Sequence, residues 1–196
     1  MTSLLQPAPI SITGVVLAGG EGRRMGGENK GLQPFAGSPM AASAVESLSL
    51  VCDLVVINAN RDLSAYRAFG CEVFEDEALW QGYGPLAGML TALDRVTTSH
   101  VLFSPCDTPN IKSEVFAQLI QMARLAPADT FYIETASGSQ PLHVIMPVEG
   151  MKAKLALFLG CNKPKVMAFY QQLNAQPVYW QDEDSFSNIN SPEDLR

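Results

Sequence analysis

The chain has 196 residues, and 20 acidic against 13 basic side chains leave a formal charge of −7. With 47% hydrophobic and 17% charged residues it has a globular makeup, which excludes a disordered or collagen-like chain. Its acidity speaks against bulk nucleic-acid binding, and no apolar run reaches the ~18–20 residues of a membrane helix.

Residues 1–10 carry two prolines and no basic residue, so they do not read as a signal peptide. The first predicted strand is ITGVVL at 12–17, which runs into Gly19-Gly20. A helix over 39–50, a strand over 54–57, a helix over 62–69 and a weaker strand over 72–74 follow. Next come a helix over 85–95 and a strand over 101–103 that runs into Ser104-Pro105-Cys106-Asp107. The helix over 113–125 is the clearest, with Val115, Phe116, Leu119, Ile120, Met122 and Ala123 at helical spacing and Arg124 near its end. Strands over 130–133 and 142–146, helices over 151–159 and 164–173, and a strand over 178–180 complete the pattern. Ser191-Pro192-Glu193-Asp194 reads as the capped start of one more helix.

Short strands that are apolar on both faces belong in a buried, mostly parallel sheet. Their alternation with helices predicts a three-layer α/β/α sandwich, and the length suits one domain over 1–196. The cysteines Cys52, Cys71, Cys106 and Cys161 are 19, 35 and 55 residues apart, form no CxxC pair, and have only His100 and His143 to join a zinc site. They read as reduced thiols of a cytoplasmic protein.

The segment after the first strand holds five glycines in nine residues, Gly19 to Gly27, and Arg23, Arg24 and Lys30 put three cations within eight residues. Free N–H groups in such a turn form an anion-binding nest at the carboxyl end of the strand. The cations point to a polyphosphate. Neither common fingerprint fits. GxGxxG begun at Gly20 meets Met25, and a P-loop begun at Gly22 meets Glu28-Asn29 where Lys and Ser or Thr belong.

The second constellation, Ser104 to Pro109, fixes Asp107 between two prolines. Two readings stay open there, a carboxylate for Mg²⁺ on a nucleotide or a cap on the following turn. Lys152, Lys154, Lys163 and Lys165 form a basic stretch in an acidic protein, either a phosphate-attracting surface or a solvated face. His143 reads as structural, His100 as a partly exposed loop residue, and Cys106 as packing. Trp80 and Tyr83 either close over a base or pack in the core.

Five segments together carry a family resemblance: LAGGEGRRMGGENKGL (17–32), INANR (57–61), GPLAGML (84–90), SPCDTP (104–109) and NINSPEDL (188–195). From about Thr13 to Leu195 the chain resembles the molybdenum cofactor guanylyltransferases. The resemblance implies a nucleotide-diphospho-sugar transferase-like fold with a Rossmann-like, GTP-binding N-terminal half and a molybdopterin-binding C-terminal half. GTP would lie against Leu17, Ala18, Gly19, Gly20 and Gly22, with Asn58 and Asp76 at its guanosine end. Arg24 and Lys30 would neutralise phosphates as catalytic cations, and Asp107 would bind Mg²⁺. Lys163, Lys165, Asn188 and Asn190 would face molybdopterin. GMP transfer to molybdopterin's terminal phosphate needs fixed donors and cations more than acid–base residues. The resemblance also implies transient contacts with other molybdenum-cofactor biosynthesis proteins, and no membrane partner.

Three departures stand out. Asn29 replaces the aspartate the family commonly has before the loop lysine, so a carboxylate role there would fall to Glu28. Gln140-Pro141 replaces a His-Pro pair, with His143 two places on. Lysines replace arginines in the late basic loop, without the bidentate fork. A cytidylyl or sugar-phosphate nucleotidyltransferase of the same fold, and a non-catalytic carrier of GTP or cofactor, remain as alternatives.

Overall fold

The computed structural model describes residues 9–20, 29–161 and 165–188. Strand β1 (Ile12–Leu17) is buried along its whole length. It lies between β4 (Leu54–Asn58) and β6 (His100–Pro105) and runs parallel to both. β5 (Glu72–Phe74) pairs parallel with β4 and forms one edge of the sheet. The register brings the strand ends level: Leu17 stands opposite Asn58 on one side and Pro105 on the other, and Phe74 stands opposite Asn58.

The other half of the sheet is mixed. β7 (Phe131–Thr135) and β8 (Gly138–Pro147) form an antiparallel hairpin, β8 also runs antiparallel to β6, and β9 (Gln176–Tyr179) pairs parallel with β7. The seven strands therefore lie in the order β5-β4-β1-β6-β8-β7-β9. β8 starts earlier than its apolar run suggests, because its first residues, Gly138-Ser139-Gln140, pair at the turn end of the hairpin and are not buried.

Alternate strand residues feed two cores. Val16, Ile57, Leu102, Ile133 and Ile145 meet α1 (Met40–Ser49), α2 (Leu63–Arg67) and α4 (Ser113–Leu125). Val15, Val56, Phe103, Tyr132 and Val144 meet α3 (Pro85–Arg95), α5 (Met151–Cys161) and α6 (Val166–Leu173). This period-two division of one sheet between two helical layers is the expected three-layer sandwich.

Three features lay beyond the apolar pattern. A two-residue hairpin pairs β2 (Pro34–Phe35) with β3 (Ser38–Pro39) around Ala36 and Gly37, both at positive φ. Short 3-10 turns form at Lys30–Leu32, Ala78–Trp80 and Glu183–Phe186. His100, expected in a partly exposed loop, is instead the buried first residue of β6, its Nε2 2.9 Å from the Pro127 carbonyl oxygen. The helix expected from 191 lies outside the described residues. Among the described residues no helix is long and apolar enough to cross a membrane.

Candidate functional site

The level ends of β1, β4 and β6 open into a cleft of about 1020 Å³. Beyond the last strand residues the backbones stay joined: Ala18 N donates to Asn58 O at 2.8 Å and Cys106 N to Leu17 O at 3.2 Å. The chain segments that follow β1, β4 and β6 thus leave from one rigid platform, the carboxyl-end crevice where open α/β sheets take ligands.

One wall is an amide–carboxylate lattice. Buried Asn58 donates to Asp76 Oδ1 at 2.8 Å, and Asn60 donates to Asp76 Oδ2 at 2.7 Å and to Gly19 O at 3.1 Å. Asp76 N returns a bond to Asn60 Oδ1 at 2.8 Å, so the carboxylate is held from β4 and its own backbone from the next turn. Helix α3 presses on this wall at Gly88. A Cβ there would fall 2.2 Å from Asn58 Oδ1 and 3.1 Å from Leu17 Cδ2, so only glycine fits.

The opposite wall carries the charges. Lys30 Nζ lies 2.6 Å from Asp107 Oδ2, and both side chains are about four-fifths buried, at 18% and 22% exposure. With its amide nitrogen turned to Asp107, Asn188 shares its two protons among three acceptors, Oδ1 at 2.8 Å, Oδ2 at 3.0 Å and the main-chain oxygen at 3.0 Å. Three distant stretches of chain thus meet on one carboxylate. Asn188 is delivered there by the preceding segment. Asp182 accepts from Lys112 at 2.7 Å and from Ser185 at 3.1 Å, and Phe186 packs edge-on against His143.

Beneath Asp107 the β7–β8 register slips. Tyr132 pairs with Val144 but the next residue, Ile133, pairs with Gln140, which leaves Pro141, Leu142 and His143 without opposite numbers on β7. A bulge re-aims side chains. Here Leu142 lines the cleft, and the buried His143 ring sits with Nε2 3.2 Å from Thr108 Oγ1, stacked on Phe116. The Tyr170 hydroxyl donates to Pro141 O at 2.7 Å. Burial pulls the His143 pKa down to about 3, so the ring is neutral. Burial, reinforced by Asp107, pushes the Cys106 thiol up to about 12, and it stays an unreactive packing group.

Among the positions singled out in the sequence, Leu17, Ala18, Gly19, Gly20, Lys30, Asn58, Asp76 and Asp107 all line this one cleft. Asn188 reaches it through Asp107. Lys165 does not line it; its carbonyl caps the first turn of α6. Gly22, Arg24, Lys163 and Asn190 lie outside the described residues, as does Glu28. Trp80 and Tyr83 pack edge-to-face at 5.7 Å against the core, and the residues between them, Gln81 and Gly82, line the cleft instead. Sequence reasoning passed over Asn60, Arg61 and Leu142. The first two stand in the same INANR segment as Asn58, so the signal was present. Leu142 had none, because only the bulge turns it inward.

Among the described residues no group of three or more His, Cys, Asp or Glu could hold a metal ion unaided. Asp107 fits Mg²⁺ in the other usual way, as one carboxylate beside phosphate oxygens and waters.

A glycine-lined crevice at the ends of parallel strands, with a lysine and a carboxylate facing an amide–carboxylate wall, defines an α/β nucleotidyltransferase. Residues 14–183 match the model of the MobA-like NTP transferase domain. The chain is 36% identical over 190 residues to a molybdenum cofactor guanylyltransferase of Cupriavidus taiwanensis, covering 94% of both chains. It is 38% identical over 186 residues to one of Yersinia pestis, covering 94% of this chain and 93% of that one. The crystal structure of molybdopterin-guanine dinucleotide biosynthesis protein A from Archaeoglobus fulgidus shares the fold, with TM-score 0.72 and 24% identity over 93% of this chain and 94% of that one. The chain belongs to the MobA-like NTP transferases and, within them, to the molybdenum cofactor guanylyltransferase family.

Proposed function

We propose that this chain transfers GMP from GTP to the terminal phosphate of molybdopterin, forming the guanine dinucleotide cofactor and releasing pyrophosphate. The observation that carries the reading is the meeting of Lys30, Asp107 and Asn188 at one point. It joins the nucleotide half of the cleft to the C-terminal segment.

In this reading the triphosphate lies over Gly19, Gly20 and Gly22, and Asn58 and Asp76 hold the guanosine end. A phosphate oxygen of molybdopterin attacks the α-phosphorus in line, the bond to the β-phosphate oxygen breaks, and pyrophosphate leaves with the electron pair. The attacking phosphate is already ionised near neutral pH, so no general base is required. Near neutral pH the His143 ring is too weak a base to take up a proton and the Cys106 thiol too weak an acid to give one up, so neither serves as acid or base.

What the reaction does require is fixed positive charge against two polyanions. Lys30 and Arg24 supply it from the protein, and Asp107 would hold Mg²⁺, which when bound supplies charge to the phosphate oxygens. Asn188, Asn190, Lys163 and Lys165 serve the molybdopterin side. Four free thiols accord with a reducing cytoplasm, where other cofactor-biosynthesis proteins would make transient contacts.

The test is pyrophosphate release with Mg²⁺ and molybdopterin, compared for GTP, CTP and ATP. Release with GTP alone is expected. Release with CTP would overturn the base assignment, and GTP binding without release would make the protein a carrier.

A further inference from the structure

The side chain in front of Lys30 is held from two sides. Asn29 Nδ2 donates to Asp62 Oδ2 at 3.0 Å, and Asn29 Oδ1 accepts from the Tyr66 hydroxyl at 2.6 Å. Tyr66 is fully buried, and that burial raises its pKa, so the hydroxyl keeps its proton and must donate. The amide has therefore one orientation, oxygen to Tyr66 and nitrogen to Asp62.

Asp62 is equally constrained. It precedes α2 in the left-handed region at φ 53, and its carbonyl accepts from Ala65 N and Tyr66 N. The Tyr66 hydroxyl is also wedged under the next loop residue, since a Cβ on Gly31 would lie 2.5 Å from it. Loop base and helix start are clamped together, and Lys30 leaves the clamp directly toward Asp107.

We infer that Asn29 and Asp62 are a positioning pair that aims Lys30, in which the single negative charge sits on Asp62 instead of on residue 29. The inference rests on the role of Lys30 proposed above. An aspartate at position 29 would keep the bond from Tyr66 but turn its second oxygen to the Asp62 carboxylate at hydrogen-bond distance. Two carboxylates that close cannot both stay ionised without repulsion. Moving the charge restores the pair: a carboxylate at position 29 would accept from Tyr66 and from an amide at position 62, and asparagine also tolerates the left-handed backbone there.

The experiment compares wild type, Asn29→Asp, Asp62→Asn and the double variant in three measurements: transfer rate, GTP affinity and Tm. Asn29→Asp should lose about tenfold in rate and about 3–6 °C in Tm. Asp62→Asn, which keeps an acceptor for Asn29, should stay within about threefold. Adding Asp62→Asn to Asn29→Asp should recover most of the rate and Tm, with KM for molybdopterin unmoved throughout.

A harmless Asn29→Asp, or a double variant no better than that single one, overturns the inference. Recovery of Tm without recovery of rate reduces the pair to a structural clamp and also overturns it. If wild type binds GTP without turning it over, the transfer reaction fails, and the pair is judged on GTP affinity and Tm alone.

Discussion

The two halves of the sheet build their share of the cleft by different means. In the parallel half β5, β4, β1 and β6 end level, and four site residues are the last residue of a strand or one of the few that follow it: Leu17, Asn58, Asp76 and Asp107. In the mixed half β8 runs the opposite way, so its carboxyl end points away from the cleft. It contributes from mid-strand, through a three-residue bulge, and by a late segment that brings Asn188 back to Asp107. A parallel sheet yields a site as a by-product of its winding, whereas an antiparallel strand has to break its own ladder to take part.

The comparison can be broken first at its strongest point. Lys30→Ala should lower the transfer rate by roughly 10²–10³, the scale of losing one preorganised electrostatic donor. Asp107→Asn should lower it similarly and weaken the response to Mg²⁺ titration. Either variant with normal turnover would move the chemistry out of the parallel half.

Asn188→Ala tests whether the crossing segment matters to that chemistry. Removing a donor to a charged acceptor should cost about 10–100-fold in rate, with KM for molybdopterin rising more than KM for GTP. An unchanged rate would make the mixed half a mere support.

The smallest effect concerns the bulge. His143 binds no proton in the folded protein until about pH 3, but takes one up near 6.5 when unfolded. Falling pH therefore favours the unfolded chain across that window. Stability should drop by about 1.4 kcal/mol per pH unit below 6.5 from this residue. Urea unfolding at pH 7.5 and 5.0 should show the loss, and His143→Phe should reduce it. The remainder includes His100, whose pKa burial also lowers. An equal pH response in the variant would mean that water reaches the ring.

Legibility in the sequence divides along the same line. The helices over 85–95 and 113–125 and the strands over 12–17 and 72–74 stand where the apolar spacing and turn residues put them. Asp107 was readable because two prolines frame it. The β8 bulge was not, since a register slip depends on what two strands bury together and leaves no local signature. The contact of Asn188 with Asp107 joins residues 81 positions apart in the chain. His100 misled because a polar side chain at a strand start looks exposed until the Pro127 carbonyl is seen to satisfy it.

Gly88 stands inside helix α3, where alanine would ordinarily add about 1 kcal/mol of helix stability. Screens that stabilise proteins by replacing mid-helix glycines would put this position near the top of their ranking. The methyl group would arrive on Asn58 Oδ1 and dislodge the Asp76 lattice. A hardier helix would be had at the expense of the cleft wall, and engineering of this scaffold for heat tolerance should leave residue 88 alone.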